Sequence, residues 1–227
     1  MSAVFIWNIA NTFLSEEQLP SWLDEGERCR ISRIPEGREK RQRIGALLLL
    51  GAIVERHFGD TTTRILHDAN GRPVVAGYPD FSCSVSHSGD YVMCGAACRR
   101  DGMGLGVDIE CALSAEWAGA RQVLSPREKE ALENTPEDRR VEYLSYLWVC
   151  KEAYMKALGL GFSAPPSELS LQIDLSYSPA VVSITDTPFE KQADWRTDRI
   201  GASYYAVCSP AGGPVPQVRK IDSLSAV

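Results

Sequence analysis

Trp148-Val149-Cys150-Lys151-Glu152-Ala153-Tyr154-Met155-Lys156, read together with the upstream stretch Gly106-Val107-Asp108-Ile109-Glu110, decides how this chain is understood. The first reads as part of a helix and the second as a short strand. Between them they carry three carboxylates and two lysines, Lys151 and Lys156. Side chains two apart in a strand share a face. Leu105, Val107 and Ile109 are therefore expected in the core, with Gly106, Asp108 and Glu110 together on the other side. Two carboxylates so close repel each other unless one is protonated or a cation sits between them. A hard dication with oxygen ligands, Mg²⁺ foremost, relieves that repulsion. Asp-x-Glu by itself is a common chance pattern and is better read, in isolation, as a solvated pair at a strand end.

The helical stretch has the same two-sided reading. At ~100° per residue, Tyr143, Leu147, Cys150, Tyr154 and Leu158 fall on one apolar stripe. Glu152 and Lys156 lie one turn apart on the other side. Glu followed by Lys at i+4 is also the ordinary exposed helix ion pair, worth only ~0.3–0.5 kcal/mol. Trp148, one turn earlier on that side, argues for a cleft wall or a covered surface rather than a wet face.

Outward from this centre, Val4 to Ile9 reads as a first strand, and Arg38 to Phe58 as a helix stopped by Gly59-Asp60. Asn70-Gly71-Arg72-Pro73 is turn chemistry. Phe81 to Ser86 and Tyr91 to Ala97 alternate like two strands, joined through Ser88-Gly89-Asp90. Ser125-Pro126-Arg127-Glu128 has the form of a capped helix start. A long helix from about Glu137 to Leu158 ends at Gly159. Leu169 to Leu175, Ala180 to Thr185 and Ser203 to Cys208 read as later strands, and the tail beyond Pro210 as irregular. A boundary falls near Gly102 to Gly106.

Composition narrows the function classes. The 227 residues suffice for one large domain or two small ones, with 44% hydrophobic and 24% charged residues. A net charge of −6 argues against general binding to nucleic acid or to an anionic membrane. No apolar run approaches the ~20 residues of a membrane span, and Met1 to Phe13 does not have the pattern of a secretion signal. The seven cysteines form no CxxC pair and read as free, buried thiols of a reducing compartment, the cytoplasm.

Anion-binding groups come from elsewhere in the chain. Ser86-His87-Ser88 lies where a strand ends, and its hydroxyls, imidazole and turn amides suit a phosphate; a histidine that merely caps a turn is the alternative. Between Arg28 and Arg43 seven Arg or Lys residues face only Glu36 and Glu39. Such clustering in an acidic chain suggests an anion site or a wet helix face. Arg72, held in a rigid turn, is a further phosphate candidate.

These residues carry a resemblance. Gly106-Val107-Asp108-Ile109-Glu110, Trp148-x-x-Lys151-Glu152-Ala153-x-x-Lys156 and Gly159-x-Gly161 resemble the signature of the 4′-phosphopantetheinyl transferases. Gly71-Arg72-Pro73, Ser84-Val85-Ser86-His87-Ser88-Gly89 and the chain length point to the larger, surfactin-synthetase-activating type. The similarity spans roughly Arg28 to Phe162. It implies an α+β fold of two similar α/β halves related by a pseudo-twofold, here residues 1–104 and 105–227. Coenzyme A would lie in the cleft between them, and the chain would act as a monomer. The implied partners are coenzyme A and apo carrier proteins or carrier domains of biosynthetic synthases, with no nucleic acid and no membrane.

The implied reaction transfers phosphopantetheine to a carrier serine, releasing 3′,5′-ADP. The resemblance assigns Mg²⁺ to Asp108, Glu110 and Glu152, with Lys156 on the pyrophosphate and leaving group. Glu152 is the first choice to accept the serine proton, and Glu128 the second. Arg41, Arg72, Ser86 and His87 would grip the nucleotide end, with Arg28 as a further contact. A Mg²⁺-dependent phosphohydrolase and a silent carrier-binding module are the rival readings. The carrier docking surface is sought around Trp117, between Leu113 and Val123.

Overall fold

The apolar periodicity between Arg38 and Phe58 becomes the helix that organises the first half of the molecule. In this computed structural model, which describes residues 2–59, 64–114, 119–161 and 164–227, the chain runs β1 (Ala3–Asn8), α1 (Glu25–Ser32), α2 (Arg38–Phe58), β2 (Ile65–His67), β3 (Pro73–Val75), β4 (Phe81–Ser88), β5 (Tyr91–Cys98) and β6 (Gly106–Cys111). It continues with α3 (Ala120–Val123), α4 (Pro126–Asn134), α5 (Arg140–Leu158), β7 (Ser170–Asp174), β8 (Val181–Asp186), β9 (Ala193–Ile200), β10 (Ser203–Pro210) and β11 (Val218–Ile221). Gly59 ends α2 and Gly159 ends α5, both left-handed at φ +69° and +74°, a conformation glycine adopts without a Cβ penalty. Asp60, expected beside the first stop, lies outside the described residues.

The strands form a six-stranded sheet in the order β11-β1-β5-β4-β3-β2, a three-stranded sheet β6-β10-β9 and the hairpin β7-β8. Alternation along the strands sorts the core into layers. Phe5, Trp7, Cys83, Val92 and Cys94 pack under α2 with Ile44, Leu47, Leu50 and Val54. The opposite residues of the same strands, Val4, Ile6 and Met93, meet Leu105, Val107, Ile109, Tyr205 and Val207 of the second sheet. On that sheet's far face, Tyr204, Ala206 and Cys208 pack under α5. The result is an α+β stack of helix, sheet, sheet and helix. In each half one long helix lies on antiparallel strands.

Three expectations change. The α5 stripe is far wider than a single apolar face: Tyr143, Leu144, Tyr146, Leu147, Val149 and Cys150 are all buried, because β6 and β10 cover one side while β7 and α4 cover another. The tail does not stay irregular, since Val218–Ile221 returns to pair in parallel with β1, Val4 opposite Val218. Cys83, Cys94, Cys150 and Cys208 are buried, but Cys29, Cys98 and Cys111 are exposed; all seven are free thiols. Among the described residues no helix is long and apolar enough to cross a membrane.

Candidate active site

A missing side chain draws the two decisive stretches together. A Cβ on Gly106 would collide with the carbonyl of Ala153 and the amide of Ala157, so only glycine lets α5 lie this close to β6. Leu105, Val107 and Ile109 do face the core. The opposite face, Gly106, Asp108 and Glu110, is covered by α5 rather than by water. Asp108 is 2% exposed, and its Oδ1 accepts from Lys156 Nζ at 2.6 Å and from Ser86 Oγ at 2.7 Å. Glu110 Oε2 accepts from Ser88 Oγ at 2.8 Å.

These side chains line one cleft of about 300 Å³ between the halves. Asp108, Glu110, Glu152 and Lys156 form its C-terminal wall. Arg43, Ala46, Leu47 and Leu50 of α2, His67, and Val85, Ser86 and His87 of β4 form the other. A second lobe runs past Arg72, Ser84 and Met155 to Gly161. Burial, then the charges of Asp108 and Glu110, push the Glu152 carboxyl up to about 7; the nearby Lys156 opposes this. Burial and Asp108 likewise raise Glu110, against the Ser88 hydrogen bond. Burial and the cations Arg43 and Lys156 lower His87, which favours its neutral form.

The acidic group is arranged differently from a ready-made cage. Among the described residues no three His, Cys, Asp or Glu side chains are gathered so as to hold a metal ion. The ammonium of Lys156 is the cation on Asp108 instead. The donor set still suits a hard dication. Asp108 Oδ2 is buried without a hydrogen-bond partner, and three carboxylates within one cleft supply the hard oxygen donors such an ion takes.

Other expected residues do different work. Arg41 Nη2 donates to the carbonyls of Ile9, Ala10 and Thr12. Arg28 donates to those of Leu19, Pro20 and Leu23. Neither lines the cleft, because each guanidinium fastens a loop of the first half. Arg72 does reach the second lobe, in an ion pair of 3.1 Å with Asp68 and with Nε buried and unpartnered. Glu128 is not placed to act as a base: it is 1% exposed, closes the cap on Ser125, accepts from Leu171 N at 2.8 Å and pairs with Lys151 at 2.7 Å. Lys151 is itself fully buried and donates to the carbonyls of Val123, Pro166 and Leu169. Trp117 lies outside the described residues.

A family model described as the 4′-phosphopantetheinyl transferase superfamily matches residues 104–208, from the start of β6 through α5 to β10. Over that stretch the chain is similar to that superfamily. It is 31% identical over 149 residues to the 4′-phosphopantetheinyl transferase psf-1 of Bacillus pumilus, covering 65% of this chain and 62% of that protein, less than two-thirds of its length. Over 162 residues it is 28% identical to the 4′-phosphopantetheinyl transferase Sfp of Bacillus subtilis strain 168, covering 66% of this chain and 70% of that protein. A solved holo-[acyl-carrier-protein] synthase of Neisseria meningitidis is similar over 47% of this chain and 96% of its own, at 18% identity and a TM-score of 0.40.

Two cleft residues escaped the sequence reading. Arg43, in an ion pair with Glu27 at 2.8 Å, was only one of seven clustered cations; it is the one whose position on α2 turns it toward β4. His67 sits on a three-residue strand too short to show a period. Ser84 and Ser88 were seen as motif residues, but not their reach across to β6. The strand β4 extends to Ser88, so the sequence 82–88 places serine at every second position of one face.

Proposed function

We propose that the chain transfers the 4′-phosphopantetheine of coenzyme A to a serine hydroxyl of an apo carrier protein, releasing 3′,5′-ADP. The observation that carries this reading is the opposition of the two walls: cationic and neutral donors on one side, and three carboxylates with Lys156 on the other. A substrate with a pyrophosphate and a further phosphate would meet Arg43, Lys156 and the N–H of a neutral His87, with Arg72 at the second lobe. Both walls belong to one chain, which supports a monomer, with residues 1–104 and 105–227 as the two halves except that β11 crosses back to the first sheet.

The step itself needs a proton acceptor and a sink for negative charge. The serine oxygen would bond to the phosphorus that bears pantetheine, while the bond from that phosphorus to the bridging oxygen breaks. The serine proton would pass to Glu152, directly or through a water. Lys156 would stay with the departing phosphate as its charge develops. Asp108, Glu110 and Glu152 would hold Mg²⁺, which when bound supplies charge neutralisation at the pyrophosphate. Relatives named 4′-phosphopantetheinyl transferase support the same reading.

The test is to incubate the chain with coenzyme A, Mg²⁺ and an apo carrier protein, and to weigh the carrier. A gain of one phosphopantetheine is expected. Release of 3′,5′-ADP with no mass gain would mean hydrolysis, and binding with no reaction would mean a silent module; either outcome contradicts the proposal.

A further inference from the structure

The two halves meet along a row of serines. Ser82, Ser84, Ser86 and Ser88 occupy alternate positions of β4 and so share a face. β4 and β6 belong to different sheets, and hydroxyls take the place of a backbone ladder between them. Ser84 Oγ accepts from Val107 N at 2.9 Å, Ser86 Oγ donates to Asp108, and Ser88 Oγ accepts from Cys111 N at 3.0 Å while donating to Glu110. A hydroxyl has a single proton to give. Because the Cys111 amide engages the Ser88 oxygen, that proton is left to point at the Glu110 carboxylate.

We propose that Ser88 is a positioning residue, which holds the flexible Glu110 side chain toward Asp108 so that both carboxylates can share a divalent cation. Glu110 comes from the edge strand of the small sheet, near the cleft mouth, and is only partly buried. Without an anchor its three side-chain torsions would be free to swing it into solvent. The anchor comes from the opposite half of the molecule, so cation affinity depends on how well the halves are joined. Ser84 provides the comparison, since it makes the same kind of cross-strand contact but only to backbone. This inference rests on the cation reading of the site.

The experiment measures Mn²⁺ affinity by electron paramagnetic resonance on the whole chain, with the melting temperature of each variant recorded alongside. Loss of an outer partner of a metal ligand costs about 10–100-fold in affinity, and that loss is expected for Ser88→Ala. Ser88→Thr, which keeps the hydroxyl, should return to within about threefold of the parent. Ser84→Ala should lower the melting temperature and leave Mn²⁺ affinity near the parent value. Parent-like affinity in Ser88→Ala, with affinity lost in Glu110→Ala, would overturn the role of Ser88 and leave the cation site standing. Equal losses in Ser84→Ala and Ser88→Ala would overturn it too, by making the hydroxyls interchangeable parts of a joint. Parent-like affinity in Glu110→Ala would instead remove the cation reading beneath it.

Discussion

The two walls of the cleft are built from different chemistry. The wall from α2 and β4 offers arginine, histidine and serine, set beside an apolar floor of Ala46, Leu47, Leu50 and Val85. The wall from β6 and α5 offers three carboxylates and Lys156. One wall can hold an anion and the other can hold a cation or take a proton. Among the described residues, Lys156 is the one anion-binding group on the carboxylate wall, and the other cationic and neutral donors face it across the joint between β4 and β6. Division of labour also runs along α5. Lys151 is sealed into the core and fixes the helix's rotation, while Lys156, roughly one and a half turns on, lines the cleft in an ion pair with Asp108.

The sharpest way to test the acidic wall is to replace its proposed base. Glu152→Gln should lower kcat by roughly 10²–10⁴-fold, with KM for coenzyme A little changed, as read from carrier mass gain over time. A parent-like kcat would move the proton acceptor elsewhere. The core end of α5 is tested next. Lys151→Met leaves Glu128 buried without its partner, and breaking such a pair typically costs ~3–5 kcal/mol. Thermal or denaturant unfolding should report that loss; a variant as stable as the parent would mean the pair does not fix α5.

The basic wall is tested by two arginines close together in sequence. Arg43→Ala should raise KM for coenzyme A about 10-fold or more, the equivalent of ~1.5–3 kcal/mol for a charge-assisted contact. Arg41→Ala should leave KM alone and lower the melting temperature, since it holds the carbonyls of Ile9, Ala10 and Thr12. The opposite pattern would exchange their roles.

The smallest effect is on pH. The Glu152 carboxyl lies at about 7 in the fold against an ordinary 4.5, so folding favours its protonated form. Its contribution is fully present below about pH 4.5 and is lost as pH rises through about 7. Glu110 shifts in the same direction. Without divalent cation, stability should fall across that window, by at most ~1.4 kcal/mol per pH unit for one group. Saturating Mg²⁺ should flatten the slope. A flat profile without the cation would contradict the crowding of carboxylates.

Much of this was legible because local pattern and chemistry agreed. The strand 105–110 announced its two faces through alternation. Gly59 and Gly159 marked helix ends, and the Ser125-to-Glu128 cap was visible as spacing. What stayed hidden depended on neighbours distant in sequence. Nothing near Arg41 distinguishes it from Arg43; only the placement of the loop after β1 does so. Glu128 looked like a spare carboxylate because the sequence does not show Lys151 meeting it across 22 intervening positions. The return of Val218–Ile221 to β1 follows from a free sheet edge, which no short-range pattern records.

The central claim is that Lys156 holds Asp108 only until a divalent cation and coenzyme A arrive. Crystals grown with Mn²⁺ and coenzyme A, with anomalous diffraction measured at the manganese edge, address it directly. The account predicts one anomalous peak among Asp108, Glu110 and Glu152, with the Lys156 ammonium moved from Asp108 onto phosphate. Bound coenzyme A with no peak at those carboxylates, and Lys156 still on Asp108 Oδ1, would contradict it.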